Sequence, residues 1–379
     1  MDQALPEPTA GGSYQRDPAT GALSVREAPA QAPADDRAVA EPAAPATTPQ
    51  ESPAMARNVR NTVLLAKIET TYGTDPTPTG AANAMLVSAP KITPLQANNV
   101  DRDLVRPYFG GSEQLVGTRH VACEFEVELA GAGAAGTAPA YGPLLRACAL
   151  AETVTAATRV DYTPITSAQE SVTIYWYDDG VLHKVQGARG SCTFAMGSGD
   201  RPVMRFAFTG LFSTPSAATP SGVSFASFTT PLAVTDANTG DVTLGGTVAS
   251  SGAPSISGGT AYPSMGLEVE LGNTVAHTPL LGGETVDITQ RSVAGSLRLD
   301  LTAAQEVSFY TGVLAATLQA VSIQHGTAAG NKVILHLPSA QLYEPSKEEL
   351  NGRRLISYRL RGVPTPGGSG NDELSLVVY

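Results

Sequence analysis

The chain has three cysteines, Cys123, Cys148 and Cys192. An odd number without C-x-x-C spacing excludes a disulfide framework and a cysteine zinc site, and leaves small buried apolar residues in a reducing compartment. Its five histidines, His120, His183, His277, His325 and His336, have no partner at i+2 or i+4, so each reads as a surface or turn residue and no metal ligand is expected. Positive charge is scarce: 24 Lys and Arg stand against 35 Asp and Glu, for a net charge of -11. With no basic cluster to compensate, such a surface repels a phosphate backbone and tight nucleic-acid binding is not expected. No stretch reaches 18 consecutive apolar residues and no signal peptide opens the chain, so neither membrane insertion nor secretion by that route is expected.

Catalytic motifs are missing as well. There is no G-x-S-x-G elbow, Walker loop or H-E-x-x-H, and no cofactor fingerprint follows a strand. The Gly131–Gly136 run has G-x-G-x-x-G spacing, but it follows an alternating strand and opens no βαβ unit, so it reads as a flexible loop. Glu124, Glu126 and Glu128 share one face of a strand by period-two alternation. A glycosidase needs a carboxylate pair about 5 to 10 Å apart. Three in a row without sugar-stacking aromatics read instead as a solvated sheet face. Trp176 between Tyr175 and Tyr177 reads as packing rather than a ligand platform. Arg353, Arg354, Arg359 and Arg361, opposed by Glu344, Glu348 and Glu349, read as hairpin or intersubunit ion pairs. No catalytic residue and no cofactor are expected.

What is present is β-forming sequence with many turns. Hydrophobic residues make up 42%, charged residues 16%, and Gly and Pro number 38 and 28, a balance of short strands and turns over a length of two or three domains. Residues 1–54 are rich in Ala, Pro, Thr and acidic residues and lack regularly spaced large apolar residues, so a disordered extension is expected there. Met55-Ala56-Arg57-Asn58 reads as a natural start of translation, leaving the extension as a tail with its own role, a processed segment, or a product of start-site choice.

From Thr62 the chain states one pattern twice. Val172-Thr173-Ile174 recurs as Val321-Ser322-Ile323, Lys184-Val185 as Lys332-Val333, and Arg205-Phe206-Ala207-Phe208-Thr209-Gly210 as Ser357-Tyr358-Arg359-Leu360-Arg361-Gly362, at separations of 149, 148 and 152 residues. Phe125–Leu129 corresponds to Leu297–Leu301 at a separation of 172, so the first copy holds about two dozen extra residues around its helix. Helices are expected at Pro139–Glu152, with Tyr141, Leu144, Leu145 and Cys148 on one face, and at Ala303–Ala315, with Val307, Tyr310 and Leu314 on one face and a capping box from Thr302 to Gln305. Each helix is expected to pack on an antiparallel sheet. The fold is therefore mainly β, with a first domain over 55–212, a linker or decorated loop region over 213–264 and a second domain over 265–379. A polar segment from Asn98 to Gly117 is too long for an idle loop and reads as an intermolecular arm carrying Asp101, Arg102, Asp103, Arg106, Tyr108 and Phe109. The strand-like end, Glu373–Tyr379, is expected to pair within its own chain or with another.

The opening run Asn61-Thr62-Val63-Leu64-Leu65-Ala66-Lys67-Ile68-Glu69-Thr70-Thr71-Tyr72-Gly73-Thr74-Asp75-Pro76, a strand followed by a tyrosine-glycine turn, resembles the start of tail tube proteins of long, non-contractile-tailed bacteriophages. The resemblance covers about 55–379. It implies tandem β-sandwich or partial-barrel domains, each with one flanking helix, in a structural virion protein made in the host cytoplasm and located in the tail. It implies rings that stack into a tube, with tail terminator, tape measure and distal tail proteins as further partners and no membrane. Two tube-like domains per chain imply a homotrimeric, pseudo-hexameric ring. Glu124, Glu126, Glu128, Arg298 and Asp300 would then face or approach the lumen, where an acidic wall lets DNA slide without specific binding during ejection. Two other classes fit the composition: a tube subunit of a bacterial injection or secretion machine, and a monomeric two-domain β-rich binding protein.

Overall fold

The structure is a computed structural model that describes residues 14–17, 19, 20, 23–25 and 56–379. Within the extension, β1 (Tyr14–Arg16) and β2 (Leu23–Val25) pair as an antiparallel hairpin, with the Asp17 carboxylate accepting from the Ala19 and Thr20 N–H groups. The rest of the expected tail over 1–54, and Met55, lie outside the described residues. Residues 57–379 form one compact unit.

Strands dominate that unit. The first copy comprises β3 (Thr62–Ile68), α1 (Gly80–Asn83), β4 (Ala84–Met85), β5 (Ser88–Val100), β6 (Leu115–Glu128), α2 (Gly142–Arg146), β7 (Leu150–Thr155), β8 (Arg159–Pro164), β9 (Val172–Asp178), β10 (Val181–Gly197) and β11 (Val203–Phe212). Five short strands follow: β12 (Ser216–Ala217), β13 (Val242–Leu244), β14 (Thr247–Val248), β15 (Ile256–Ser257) and β16 (Thr260–Tyr262). The second copy contains β17 (Ser264–Glu270), β18 (Asn273–Leu280), β19 (Gly283–Arg291), β20 (Ala294–Leu299), α3 (Ala303–Leu314), β21 (Leu318–His325), β22 (Val333–Leu350), β23 (Arg353–Gly362) and β24 (Ser375–Val378).

The ladders show the internal repeat directly. In the first copy the antiparallel order is β5-β6-β11-β10-β9-β3, and in the second it is β17-β20-β23-β22-β21-β13. Register agrees with the sequence match: Phe125 lies opposite Phe206, and their counterparts Leu297 and Tyr358 lie opposite each other. One helix follows the equivalent strand in each copy, between β6 and β9 and between β20 and β21. The β7–β8 hairpin is the extra material of the first copy. The end of β10 pairs with β17 and so joins the two sheets. Traced pair by pair, the ladders branch at β10 and β22 and never return to a strand already passed, so the sheet stays open.

One apolar cluster runs through both copies, from Phe125, Phe194 and Phe206 to Leu297, Tyr358 and Leu360. Phe125, Phe206 and Phe208 lie with their ring centroids 5.8 Å apart, filling the first copy's sheet face. Trp176 belongs to this core, while Tyr175 and Tyr177 pack with Leu65, Ala84 and Leu182 on the opposite face. All three cysteines are buried, and burial pushes the Cys123 thiol up to about 12.

Several expectations are corrected. The first helix is five residues rather than the span Pro139–Glu152: Tyr141, Leu144, Leu145 and Cys148 are buried as the pattern requires, but Ala149 turns to φ 59 and the chain leaves as β7. The second helix has its Thr302–Gln305 capping box, yet Val307, Tyr310 and Leu314 are exposed and Phe309 and Val313 meet the core instead. The apolar stripe pointed to burial because periodicity cannot say which of two apolar faces a neighbour covers. His325 and His336 are buried, not surface or turn residues; the Ser322 hydroxyl lies 2.7 Å from His336 Nδ1, and burial lowers this imidazole to about 4. Residues Asn98 to Gly117 are less loop than expected, since β5 runs to Val100 and β6 begins at Leu115. Within 213–264, β13 belongs to the second copy's sheet, paired with β21 on one side and β16 on the other. The C-terminal strand β24 is inserted between β22 of the second copy and β8 of the first, so its partners are in its own chain.

Candidate functional site: a charged sheet face and a projecting arm

Alternation on β6 places Glu124, Glu126 and Glu128 on one side and Phe125 and Val127 in the core. Directly opposed residues share a face, and one such row crosses five strands: Glu128, Val203, Ala195, Glu268 and Ser296. Arg298 stands two residues beyond Ser296 on β20, with Asp300 just past the strand end. All five residues expected to form a wetted face are thereby brought onto one continuous surface.

That surface is not simply acidic. Arg201 reaches Glu126 at 2.8 Å and Glu128 at 3.4 Å, and Arg205 reaches Glu126 at 3.4 Å and Glu268 at 2.8 Å. Lys91 meets Glu124 at 3.3 Å, Arg298 meets Glu348 at 3.0 Å, Arg359 meets Glu344 at 3.2 Å, and Arg353 pairs with Asp300. Each carboxylate expected to make the face acidic has a cation beside it. Arg298 is one of the expected face residues, and Arg353 and Arg359 are expected in ion pairs; Arg201 and Arg205 are additions, and the signal for Arg205 is that it opens the repeated segment and lies opposite Glu126 once β6 and β11 pair. Such exposed pairs contribute little stability, typically about 0–1 kcal/mol each, and their effect is to hold the local field near neutral.

The arm is a two-stranded projection. β5 and β6 remain paired out to Val100 opposite Leu115, and the connecting loop carries Asp101, Arg102, Asp103, Arg106, Tyr108 and Phe109. Arg102 pairs with Glu113, Arg106 lies 3.7 Å from the same carboxylate, and the Gln114 amide donates to Asp101 at 2.5 Å. These polar contacts shape the loop and leave its apolar side chains outside, with Val105 and Phe109 fully exposed and Tyr108 mostly so. The hairpin tip thus groups three large exposed apolar side chains, Val105, Tyr108 and Phe109.

The tyrosine-glycine turn after β3 works as a clasp. Gly73 adopts φ 69 and donates its N–H to the Glu69 carboxylate at 2.7 Å, which also accepts from Ser171, Thr173 and the Gly187 N–H. The Tyr72 hydroxyl accepts from the Val286 N–H at 2.6 Å, and the Arg189 guanidinium lies 5.0 Å from its ring centroid while pairing with Asp287 at 2.7 Å. Burial raises the Tyr72 phenol above its ordinary range. The motif therefore ties the first copy to the β18–β19 hairpin of the second.

Among the described residues no group of three or more His, Cys, Asp or Glu is placed to hold a metal ion, and no helix is long and apolar enough to cross a membrane. Compared with known families, residues 59–376 match the model described as phage tail tube protein. No curated protein matches the chain.

Proposed function

The chain belongs to the phage tail tube protein family, and on that premise we propose that it is the structural subunit of the tail tube, with three chains per ring and six near-equivalent domains around it. Rings stack into a conduit through which DNA leaves the particle. The chain works with itself first, and with the tail terminator, tape measure and distal tail proteins at the ends and interior of the tube. It performs no catalysis.

The observation that carries this reading is the register-matched duplication, in which the same six-strand order occurs twice in one compact unit. A ring needs a surface that meets a different surface on its neighbour and a rotation that closes. Two copies of one sheet joined edge to edge already constitute two steps of such a rotation. Glu124, Glu126, Glu128, Arg298 and Asp300 are proposed as the lumenal side, where paired charges of both signs give DNA neither a strong attractor nor a strong barrier. The arm tip at 101–109 is proposed to bind a neighbouring chain.

Negative-stain electron microscopy of the full chain at high concentration, with light-scattering mass, tests the proposal. Rings or tubes with three chains per layer are the expected result. Six chains per layer would remove the pseudo-hexameric arrangement, and a stable monomer at every concentration would favour a two-domain binding protein instead.

A further inference from the structure

Inside the chain the second copy docks on the first in two ways. Gly266–Glu270 of β17 adds to the edge of β10 at Thr193–Gly197, with Glu268 opposite Ala195. The β18–β19 hairpin then continues from that strand and seats beyond the end of α2, where the Asn273 amide donates to the Cys148 carbonyl at 2.8 Å and the Gly190 carbonyl at 3.0 Å.

Each strand of this contact has a counterpart with a ladder on one edge alone among the described residues. Ser346 lies opposite Ser357 as Thr193 lies opposite Arg205, so Ser346–Leu350 of β22 corresponds to Thr193–Gly197. Among the described residues this stretch pairs only with β23. On the other side, Lys91 lies opposite Glu124 as Glu268 lies opposite Ser296, so Ala89–Thr93 of β5 corresponds to Gly266–Glu270. Ala89 and Gly266 share a left-handed backbone, φ 48 and φ 98, at register shifts in both strands. Among the described residues β5 pairs only with β6. The arm extends beyond Thr93 as the β18–β19 hairpin extends beyond Glu270, but its apolar side chains are exposed. The end of α3, which turns at Ala316 with φ 51 as α2 turns at Ala149 with φ 59, exposes Leu314 and Leu318.

We infer that the contact between chains is a copy of the contact within the chain: Ser346–Leu350 of one chain pairs antiparallel with Ala89–Thr93 of the next, Glu348 opposite Lys91, and the arm of that next chain lies over the C-terminal end of α3. This rests on the tube reading and names its subunit joint. Charge supports the register, since it sets an exposed carboxylate against an exposed ammonium where the in-chain joint sets Glu268 against Ala195. It is strand addition at two free edges, the same chemistry that joins β10 to β17. Because the joint repeats the in-chain contact, the assembly turns in equal steps, as a ring of near-equivalent domains requires.

A double-cysteine variant of the full chain, Lys91→Cys with Glu348→Cys, tests this. Opposed residues of an antiparallel pair have Cα atoms about 4.5–5.5 Å apart, within disulfide reach, and the native cysteines are buried. Mild oxidation of assembled protein is expected to give covalent dimers and trimers on a non-reducing gel, with the trimer as the end product. The off-register control, Lys91→Cys with Glu349→Cys, places the second thiol on the opposite face and is expected to link at least about ten-fold less. Rings that form normally but link no better at 91/348 than in the control overturn this joint and leave the tube reading standing. Unmodified chain that stays monomeric throughout overturns the tube reading, and the joint falls with it.

Discussion

Replacing Glu69 by Gln isolates the clasp behind the tyrosine-glycine turn. The carboxylate is 7% exposed; Oε1 accepts from Thr173 Oγ1 at 2.6 Å and the Gly187 N–H at 2.7 Å, while Oε2 accepts from the Gly73 N–H and Ser171 Oγ, each at 2.7 Å. Glutamine keeps the shape but turns one acceptor into an NH2 group. The hydroxyl on that side can rotate to accept from it. The backbone N–H cannot, so either Gly73 or Gly187 is left donating toward a donor. Losing one charge-assisted bond removes about 1.5–3 kcal/mol, a buried unpaired N–H costs about 1–3 kcal/mol, and the remaining bonds lose their charge. The sum is a destabilisation of about 3 kcal/mol. At about 2.1 cal/mol/K per residue over 57–379, that lowers Tm by roughly 4–5 °C. The assay is urea unfolding of dilute, unassembled protein, followed by intrinsic fluorescence, with an unchanged m-value and a lower midpoint. A loss under about 0.5 kcal/mol would refute the reasoning, because it would mean that the four donors are satisfied without the charge.

Three further outcomes are expected. His336 is held neutral by burial at about 4, below the ordinary value near 6.5, so the unfolded chain takes up a proton first as pH falls. Its contribution is fully present above about 6.5 and is lost between there and about 4; His336→Gln should flatten the stability curve in that window by up to about 1.4 kcal/mol per pH unit, read from urea midpoints. Gly187 adopts φ 57, and a Cβ there would lie 2.8 Å from the Tyr72 ring, so Gly187→Ala should destabilise by about 2–4 kcal/mol through strain and displacement of Tyr72; a thermal scan showing no loss would contradict this. Arg205→Ala removes two exposed ion pairs and should change the unfolding free energy by less than about 1 kcal/mol, so a much larger loss would show that the charged face is structural.

Much of the architecture was legible because it lies in patterns that survive low side-chain identity. The repeat could be read from order and spacing, and the ladders reproduce its alignment at Phe125 with Phe206 and Leu297 with Tyr358. Alternation on β6 also separated the wetted Glu124, Glu126 and Glu128 from the core. The same method failed at α3, where two apolar faces competed and the stripe of Val307, Tyr310 and Leu314 was left outside. It failed for α2 because five residues close one side of a core whether or not the helix continues, and the positive φ at Ala149 has no signature in an alanine. Buried His336 was missed because burial of an imidazole depends on what packs over it.

The sequence by itself determined the strand-rich class, the duplication, the absence of catalytic motifs and which residues share a sheet face, since all of these follow from local period and composition. Only the tertiary structure decided which strands meet. It placed β24 between the two copies, set a lysine or an arginine beside Glu124, Glu126, Glu128 and Asp300 of the charged face, and brought Glu69 and Tyr72 to partners more than a hundred residues away. It also showed two edges, on β5 and β22, with no strand partner among the described residues. The reason is physical: alternation specifies a strand's faces, whereas its neighbours are chosen by which edges are closest when the core closes.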